Sequence, residues 1–362
     1  NFDGSWTERA FIGLMETSDP ASNIWEDKGF VVCSASDKGK TDYGRSSIND
    51  WEGYFKINAI DPTYIITENG EHWLIYGSWH SGIAALQVNP EDGKPLNALG
   101  NPWDITGEDN SGYGKIIATR GTSRWQASEG PEVIYRDGYY YLFLAYGSLS
   151  VEYNTRVCRS KNIDGPYVDI HGNSAMGSAQ LYPILTAPYR FDNSYGWVGI
   201  SHCGIFDDGA GNWFYTSQGR FPVNVGGNEY SNAIMMGHVR SIRWDANGWP
   251  LVMPERYGAV PQAPITENEI AGDWEHLALT TSTGTQRTSE TMTYDLGTHK
   301  ITSGSWKNAT WTFDAATQTI TTSAGVVLYL QREVDWEASP RTHTIVYAAQ
   351  GNQKTYWGKK LQ

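Results

Sequence analysis

Residues 129–143 read EGPEVIYRDGYYYLF, and the pattern in this stretch is the basis of the fold prediction. Two runs rich in Val, Ile, Tyr and Phe, 132–135 and 139–143, lie on either side of Asp137-Gly138. An Asp-Gly pair between such runs is typical of a two-residue β-hairpin turn. The stretch therefore predicts two antiparallel strands, with Glu129 at the head of the first.

The same pattern occurs before and after this hairpin. Residues 61–78 read DPTYIITENGEHWLIYGS, and residues 202–217 read HCGIFDDGAGNWFYTS. The three units start 68 and then 73 residues apart, and each is followed by one or two further strand-like runs. Four-stranded units that repeat at a regular interval are typical of the blades of a β-propeller.

The whole chain has almost no helical periodicity, so the predicted class is all-β. Residues 10–18 and 25–31 resemble the third and fourth strands of a blade, which predicts that the chain opens at the end of blade 2. Beyond a Pro-containing segment at 260–264 the composition shifts to Thr, Ser and short alternating strands. We predict a five-bladed propeller, incomplete in this chain, over 1–262 and a small C-terminal β-barrel over 263–362.

Charge and hydropathy exclude several classes of partner. The formal net charge of −13 argues against nucleic acid and against an anionic membrane surface. The longest strongly apolar run, 139–146, is too short to span a bilayer. Aromatic residues make up 13% of the chain, and they either fill a β core or provide stacking platforms for sugar rings.

A polar residue opens the inner strand of each predicted blade. These residues are Asp61, Glu129 and His202. Because the first strand of every blade lines the central channel of a propeller, we expect the three side chains to converge at one mouth of that channel. Convergent polar groups in an aromatic-lined cleft are the default hypothesis for a binding or active site.

Several motifs together resemble the arabinanases of glycoside hydrolase family 43. Residues 58–62 (NAIDP) and 76–83 (YGSWHSGI) resemble the third blade of that family. The fourth blade is matched by EGP at 129–131, GYYYLF at 138–143 and RSKNIDGPY at 159–167. The fifth is matched by SHCGIF at 201–206 and WDANGWP at 244–250, and the ending YWGKKL at 356–361 resembles the accessory β-barrel of two-domain bacterial members.

The resemblance implies an inverting glycosidase that cleaves α-1,5-linked L-arabinan, by endo or exo action, and that is secreted to the bacterial exterior or periplasm. Glu129 matches the general acid of the family. Asp61 matches the carboxylate that orients this acid and favours its protonated form through a nearby negative charge. His202 matches a histidine near a calcium ion on the propeller axis, and because calcium prefers oxygen ligands, water would fill most of its coordination shell.

Five further residues are candidates for substrate contact: Asn58, Trp79, His80, Ser81 and Arg156. For each candidate a structural role remains open. Asp61 can cap a strand, His202 and Trp79 can belong to the core, and Arg156 can form a structural salt bridge. Glu129 can be a surface acid, with Glu132 as the competing catalytic acid.

The family's general base, an Asp of the first blade, has no match in this sequence. Roughly one and a half blades, about 100 residues, are without a counterpart. We expect a separate N-terminal chain of the same protein to supply them, together with the base. Two other functions stay open: an α-L-arabinofuranosidase or β-xylosidase on the same propeller, and a carbohydrate-binding propeller without catalysis.

Overall fold

The computed structural model describes residues 10–34, 58–78, 82–99, 113–120, 128–177, 180–191 and 194–361. The predicted all-β class is confirmed, since the one α-helix in these ranges is the four-residue α1 (Glu267–Ile270). The chain divides into two compact units. The first contains the described residues up to Ala145 together with Cys158–Leu181, and the second contains Tyr146–Val157 together with the residues from Tyr182 onward.

Three four-stranded antiparallel sheets confirm the predicted repeat, and in each one the strands follow each other in chain order. The strands of the first sheet are β3 (Thr63–Ile66), β4 (His72–Tyr76), β5 (Ile83–Val88) and β6 (Lys115–Ala118). Those of the second are β7 (Glu129–Arg136), β8 (Tyr139–Tyr146), β9 (Asn154–Ser160) and β10 (Ile184–Thr186). Those of the third are β12 (Gly204–Asp207), β13 (Trp213–Arg220), β14 (Met235–Trp244) and β15 (Pro250–Val252). These sheets are propeller blades.

The turn that was predicted from Asp137-Gly138 joins β7 to β8. Both residues have positive φ, +50° for Asp137 and +79° for Gly138, as a type I′ turn requires. The turn fixes the register, in which Val133 pairs with Leu142 and Tyr135 with Tyr140. Local sequence therefore determined this hairpin.

The predicted third and fourth strands near the start of the described chain are present as a hairpin. The strand β1 (Phe11–Glu16) pairs with β2 (Glu26–Cys33). The buried side chains of this hairpin pack in the same core cluster as those of the β3–β6 sheet. The cluster includes Ile12, Val32, Leu74, Tyr76 and Leu86.

The C-terminal region forms an eight-stranded antiparallel sheet. Its strands are β16 (Gly272–Leu279), β18 (Glu290–Asp295), β19 (Lys300–Ile301), β20 (Trp311–Asp314), β21 (Thr319–Thr322), β22 (Val327–Asp335), β23 (Thr342–Gly351) and β24 (Lys354–Lys360). They lie in the order β19-β18-β16-β24-β23-β22-β21-β20. A bridge between Lys300 and Thr310 brings the two edges together, so the sheet is a nearly closed barrel, as predicted. Trp274, Trp311 and Tyr347 fill its core.

The barrel packs on the last blade within the second unit. The short strands β11 (Tyr189–Arg190) and β17 (Arg287–Thr288) pair in parallel. The indole N–H of Trp357 donates to the Val252 carbonyl at 2.8 Å. The predicted domain boundary at 262/263 falls between the end of β15 and the start of α1.

Candidate active site

Asp61 lies at the head of β3, half-buried and in the left-handed backbone region with φ +54°. The preceding carbonyl, that of Ile60, accepts the Gly77 N–H at 3.0 Å, which ties the head of β3 to the end of β4. The carbonyl of Asn58 accepts the Ile60 N–H at 3.0 Å, so this candidate contact residue is part of the same turn. Left-handed backbone at a residue other than Gly is uncommon and is often found at functional sites.

Glu129 is the first residue of β7 and is half-buried. The hydroxyl of Ser78, itself 1% exposed, donates to Glu129 Oε2 at 3.0 Å. The ladder is irregular at this point, because Glu129 pairs with Ala145 whereas Glu132 pairs with Phe143. Such a β-bulge redirects a side chain and is common beside active sites.

Two hydrogen bonds join the inner strands β3 and β7 of two adjacent blades. The Gly130 N–H donates to Asp61 Oδ2 at 3.3 Å, and the Tyr135 hydroxyl donates to Glu68 Oε2 at 2.5 Å. Asp61 and Gly130 precede or open their strands, while Glu68 and Tyr135 lie near the far ends. The strands β3 and β7 therefore run side by side in the same direction, and Asp61 and Glu129 lie at the same end.

The heads of the three inner strands share one backbone conformation. Asp61, Gly130 and His202 have φ of +54°, +56° and +57°. By this criterion Gly130, at the head of β7, matches Asp61 and His202, and Glu129 lies one position before it. This offset differs from the sequence alignment of Asp61, Glu129 and His202.

His202 lies in the second unit, exposed at the head of β12. Its Nδ1 is 3.4 Å from the hydroxyl of the buried Tyr153. Among the described residues, His202 belongs to no group of three or more carboxylate, imidazole or thiol ligands. An exposed imidazole with this donor set fits a calcium ion only if water supplies most of the coordination shell.

Arg156 is almost completely buried in β9, at 1% exposure. Its Nε donates to Asn154 Oδ1 at 2.5 Å, and its guanidinium lies over the Tyr146 ring, 5.2 Å from the centroid. These contacts fix the orientation of the guanidinium. Its predicted role in substrate binding stays a prediction.

Trp79, His80 and Ser81 lie outside the described residues. The glycines on either side of them are described. A Cβ on Gly77 would lie 2.4 Å from the Gly82 carbonyl oxygen, and a Cβ on Gly82 would lie 2.1 Å from the Ala118 carbonyl oxygen. Only glycine permits these close backbone approaches, which bring Gly77 next to Gly82 and Gly82 next to Ala118.

A buried hydroxyl network lies beside His202, and the sequence analysis did not identify it. The hydroxyl of Thr155 contacts that of Tyr215 at 2.7 Å and that of Ser201 at 2.8 Å. Thr186 donates to the Ile200 carbonyl at 2.7 Å. Burial raises the pKa of the Tyr215 hydroxyl, so it stays protonated and can donate. The only sequence signal was the position of Ser201 next to His202.

A second group of acidic residues lies between the last blade and the barrel, around the buried ammonium of Lys359. Its Nζ is 2.8 Å from Glu337, 2.9 Å from Asp335, 3.3 Å from Glu255 and 3.7 Å from Glu275. Three of these carboxylates are close enough to share a metal ion. Because Lys359 lies among them, we interpret this charge cluster as structural.

The proton distribution in the charge cluster follows from burial. Burial, reinforced by the adjacent Glu337, raises the pKa of Glu255 well above its usual value. Burial also opposes ionisation of Glu337, but its hydrogen bond with Glu255 and the ammonium of Lys359 outweigh this and lower its pKa. Although burial disfavours the ammonium, Glu255 and Glu337 raise the pKa of Lys359. A neutral Glu255 thus donates to an ionised Glu337.

No helix in the described part of the chain has the length and apolar character that a membrane span requires.

Comparison with known families gives two matches. Residues 15–250 match the model of the glycosyl hydrolases family 43, and residues 254–358 match that of a C-terminal lipocalin-like domain. The first match covers well over half of the chain and places it in a known enzyme family.

Comparison with individual proteins gives similar sequences and folds. The chain is 30% identical over 240 residues to the extracellular endo-alpha-(1->5)-L-arabinanase 2 of Bacillus subtilis, which is 60% of this chain and 46% of that protein. It is 31% identical over 239 residues to the extracellular endo-alpha-(1->5)-L-arabinanase of Thermotoga petrophila, which is 61% and 46%. The chain thus spans about half the length of the curated relatives it matches. These comparisons give no support for the expected separate N-terminal chain, which stays a prediction.

Two crystal structures share the fold. They are the family 43 glycoside hydrolase YxiA protein of Bacillus licheniformis and the endo-1,5-alpha-L-arabinanase of Thermotoga petrophila RKU-1. Each has a TM-score of 0.77 at 24% identity and covers 97% of this chain and 77% of its own. At this identity the likeness shows the propeller-plus-barrel fold alone.

Proposed function

The chain belongs to glycosyl hydrolases family 43, and from this membership we propose that it forms part of an enzyme that hydrolyses α-1,5-linked L-arabinan with inversion. The curated relatives named above, which are called arabinanases, support this substrate. Their names also include the word extracellular, which supports secretion as the proposed location.

The observation that carries the proposal is the hydrogen bond from the Gly130 N–H to Asp61 Oδ2. It fixes one carboxylate to the backbone directly after Glu129, at the same end of two adjacent inner strands. Inverting hydrolysis needs a positioned acid at the leaving oxygen and a second carboxylate that activates water on the opposite face of the sugar. Glu129 and Asp61 offer the acid and a neighbouring negative charge.

In the proposed mechanism the Glu129 carboxylic acid protonates the glycosidic oxygen as its bond to the anomeric carbon breaks. Ser78 holds Oε2 in place through its hydroxyl. A base removes a proton from the water molecule, whose oxygen bonds to the anomeric carbon from the opposite face. We expect this base to be an Asp, about 6.5–9.5 Å from the acid, and we assign no described residue to it. Asp61 positions the head of β7, which carries Glu129, through its hydrogen bond with the Gly130 N–H.

The substrate contacts proposed for Asn58, Trp79, His80, Ser81 and Arg156 follow from the resemblance to family 43. Asn58 belongs to the turn that carries Asp61. The loop with Trp79 directly follows Ser78, the donor to Glu129. A tryptophan ring at this position would stack on the apolar face of an arabinose ring, and the polar residues would bind its hydroxyl groups.

We also propose a calcium ion near His202, coordinated mainly by water. A divalent cation there would supply a local positive charge and bind water and hydroxyl oxygens. The chain contributes one imidazole, whose orientation is set by the hydroxyl of Tyr153.

Digestion of linear and branched arabinan, with the products sized by chromatography and their anomeric form followed by NMR, tests the proposed function. We expect arabino-oligosaccharides from linear arabinan, released first as the inverted anomer. Arabinose released only from branches, or xylose from xylo-oligosaccharides, would instead support the arabinofuranosidase or β-xylosidase alternative. Binding to arabinan without any new reducing ends would support a non-catalytic carbohydrate-binding propeller.

A further inference from the structure

A cleft of about 600 Å³ lies between the last blade and the barrel, within the second unit. Its floor comes from β13 and β14, one wall comes from β22 and the turn before β21, and the linker at 260–265 closes it. This volume is in the usual range of ligand sites, which are often found between domains. The proposed active site does not use any of these residues.

Aromatic rings line part of the cleft in fixed orientations. Trp213 packs edge-to-face on Trp244 with centroids 5.5 Å apart, and Tyr257 packs in the same way on Phe214 at 4.9 Å. Tyr257 is nevertheless 41% exposed. A ring that neighbours hold in place while part of it faces solvent can stack on a ligand at little further entropic cost.

Two polar side chains line the cleft without a partner. Gln331 and Ser241 are 9% and 7% exposed, and neither side chain forms a hydrogen bond to any described residue. In contrast, the Gln318 amide, in the same cleft, binds the backbone N–H and C=O of Ile265. Neither residue is among those whose polar atoms are fully buried without a partner, so the Gln331 amide and the Ser241 hydroxyl reach the surface of the cleft and are available to a ligand.

The charge of the cleft selects a neutral ligand. Its one cationic side chain, Arg243, already donates to the carbonyls of Leu330 at 2.6 Å and Thr317 at 3.3 Å. No carboxylate is among the lining residues. Ring faces together with an amide and a hydroxyl recognise molecules that have apolar faces and many hydroxyl groups, which is the chemistry of neutral carbohydrates.

We propose that this cleft is an accessory binding site for arabino-oligosaccharide segments, and this substrate class rests on the proposed function. Trp213 begins β13, next to the turn that follows the far end of β12, whereas His202 lies at the head of β12. The accessory site is therefore at the opposite end of the blade from the strand head. It holds a polymer without taking part in bond cleavage.

Isothermal titration calorimetry at low temperature tests the proposal by measuring the affinity for linear arabinohexaose. The variants are Tyr257→Ala and Gln331→Leu. We expect two classes of site in the unsubstituted protein. Each variant weakens the cleft class about fivefold to tenfold, the size of one lost ring contact or hydrogen bond. Tyr195→Ala, which removes a more exposed tyrosine outside the cleft, changes neither class. Circular dichroism and Tm check that each variant is folded, and Ser241→Ala replaces any variant that is not.

Hydrolysis measurements separate this inference from the proposed function. We expect Gln331→Leu to raise the KM for long arabinan while the hydrolysis of arabinotriose is unchanged. If arabinan is hydrolysed but all cleft variants bind arabinohexaose like the unsubstituted protein, the accessory site is wrong. If arabinan is not hydrolysed while binding still depends on Tyr257 and Gln331, the accessory site stands and the proposed function fails. Equal affinity of the cleft for xylohexaose would overturn the assignment to arabinan.

Discussion

The molecule gathers carboxylates in two places, and their surroundings differ. At the heads of β3 and β7, Asp61 and Glu129 are half-buried, and their described partners include a backbone N–H and a serine hydroxyl. In the charge cluster, four carboxylates surround the ammonium of Lys359, which is 2% exposed.

We interpret this difference as one between the carboxylates proposed for catalysis and structural ones. A neutral donor orients a carboxyl group without preventing proton exchange, and partial exposure leaves room for a substrate. A buried ammonium neutralises its neighbours and fills the space that a ligand would need. Proximity of acidic residues alone therefore does not identify an active site. Four substitutions test the comparison.

The largest effect is expected for Glu129→Gln. Glutamine keeps the size of the side chain but cannot donate the proton, so kcat on linear arabinan should fall about 10²–10⁴-fold with little change in Tm. Glu132→Gln, three residues further along β7, is the matched control and should retain activity within a few-fold. Near-normal activity of Glu129→Gln, or a larger loss in Glu132→Gln, would assign the acid to another residue.

Lys359→Met should affect stability instead of chemistry. It leaves the buried carboxylates without their cation, and breaking such a pair costs about 3–5 kcal/mol. Lys360→Met, the neighbour whose ammonium binds only the Ala271 carbonyl among its described hydrogen-bond acceptors, is the control and should lose much less in urea unfolding.

The penalty of Lys359→Met should also depend on pH. The lowered pKa of Glu337 means that its contribution to stability is present above the usual glutamate range and is lost as the pH falls. The raised pKa of Lys359 keeps its contribution until strongly alkaline pH. The penalty should therefore be greatest near neutral pH and shrink towards about pH 4. A penalty independent of pH would contradict the charge cluster as described.

Asp61→Asn should have a smaller effect on rate, on the order of tenfold, or about 1.4 kcal/mol of transition-state stabilisation. The amide oxygen can still accept the Gly130 N–H, so this hydrogen bond is kept while the charge is lost. Because a nearby negative charge favours a protonated acid, the alkaline limb of the pH–rate profile should move to lower pH. Glu68→Gln, which alters the hydrogen bond at the other end of β3, is the control. A slower enzyme with both limbs unmoved would leave Asp61 only a positioning role.

The smallest effect is expected for His202→Ala. If a calcium ion binds near this imidazole, chelation should lower the Tm of the unsubstituted protein, because a ligand that binds only the folded state stabilises it. The variant should contain less calcium by metal analysis and respond less to chelation. His299→Ala, on the barrel, should behave like the unsubstituted protein. Calcium-free protein after gentle purification would count against the site.

Local sequence was sufficient for the strands and turns. Asp137-Gly138 can adopt the two positive φ angles of a type I′ turn more easily than most residues, so it predicted the hairpin. The repeat of this hairpin predicted the blades, and the alternating strands after 263 predicted the barrel. The same repeat placed Asp61 and Glu129 at the heads of neighbouring inner strands.

The hydrogen bonds and ion pairs between polar side chains could be identified only from the tertiary structure. The donation from Ser78 to Glu129 and the buried hydroxyl network arise from contacts between strands far apart in sequence. No sequence motif indicated the charge cluster or the cleft that Gln331 lines. Periodicity reports which face of a strand is buried, whereas such pairings depend on how separate strands pack. The blades and the barrel could therefore be predicted from sequence patterns, whereas the pairing of their polar side chains depends on tertiary packing.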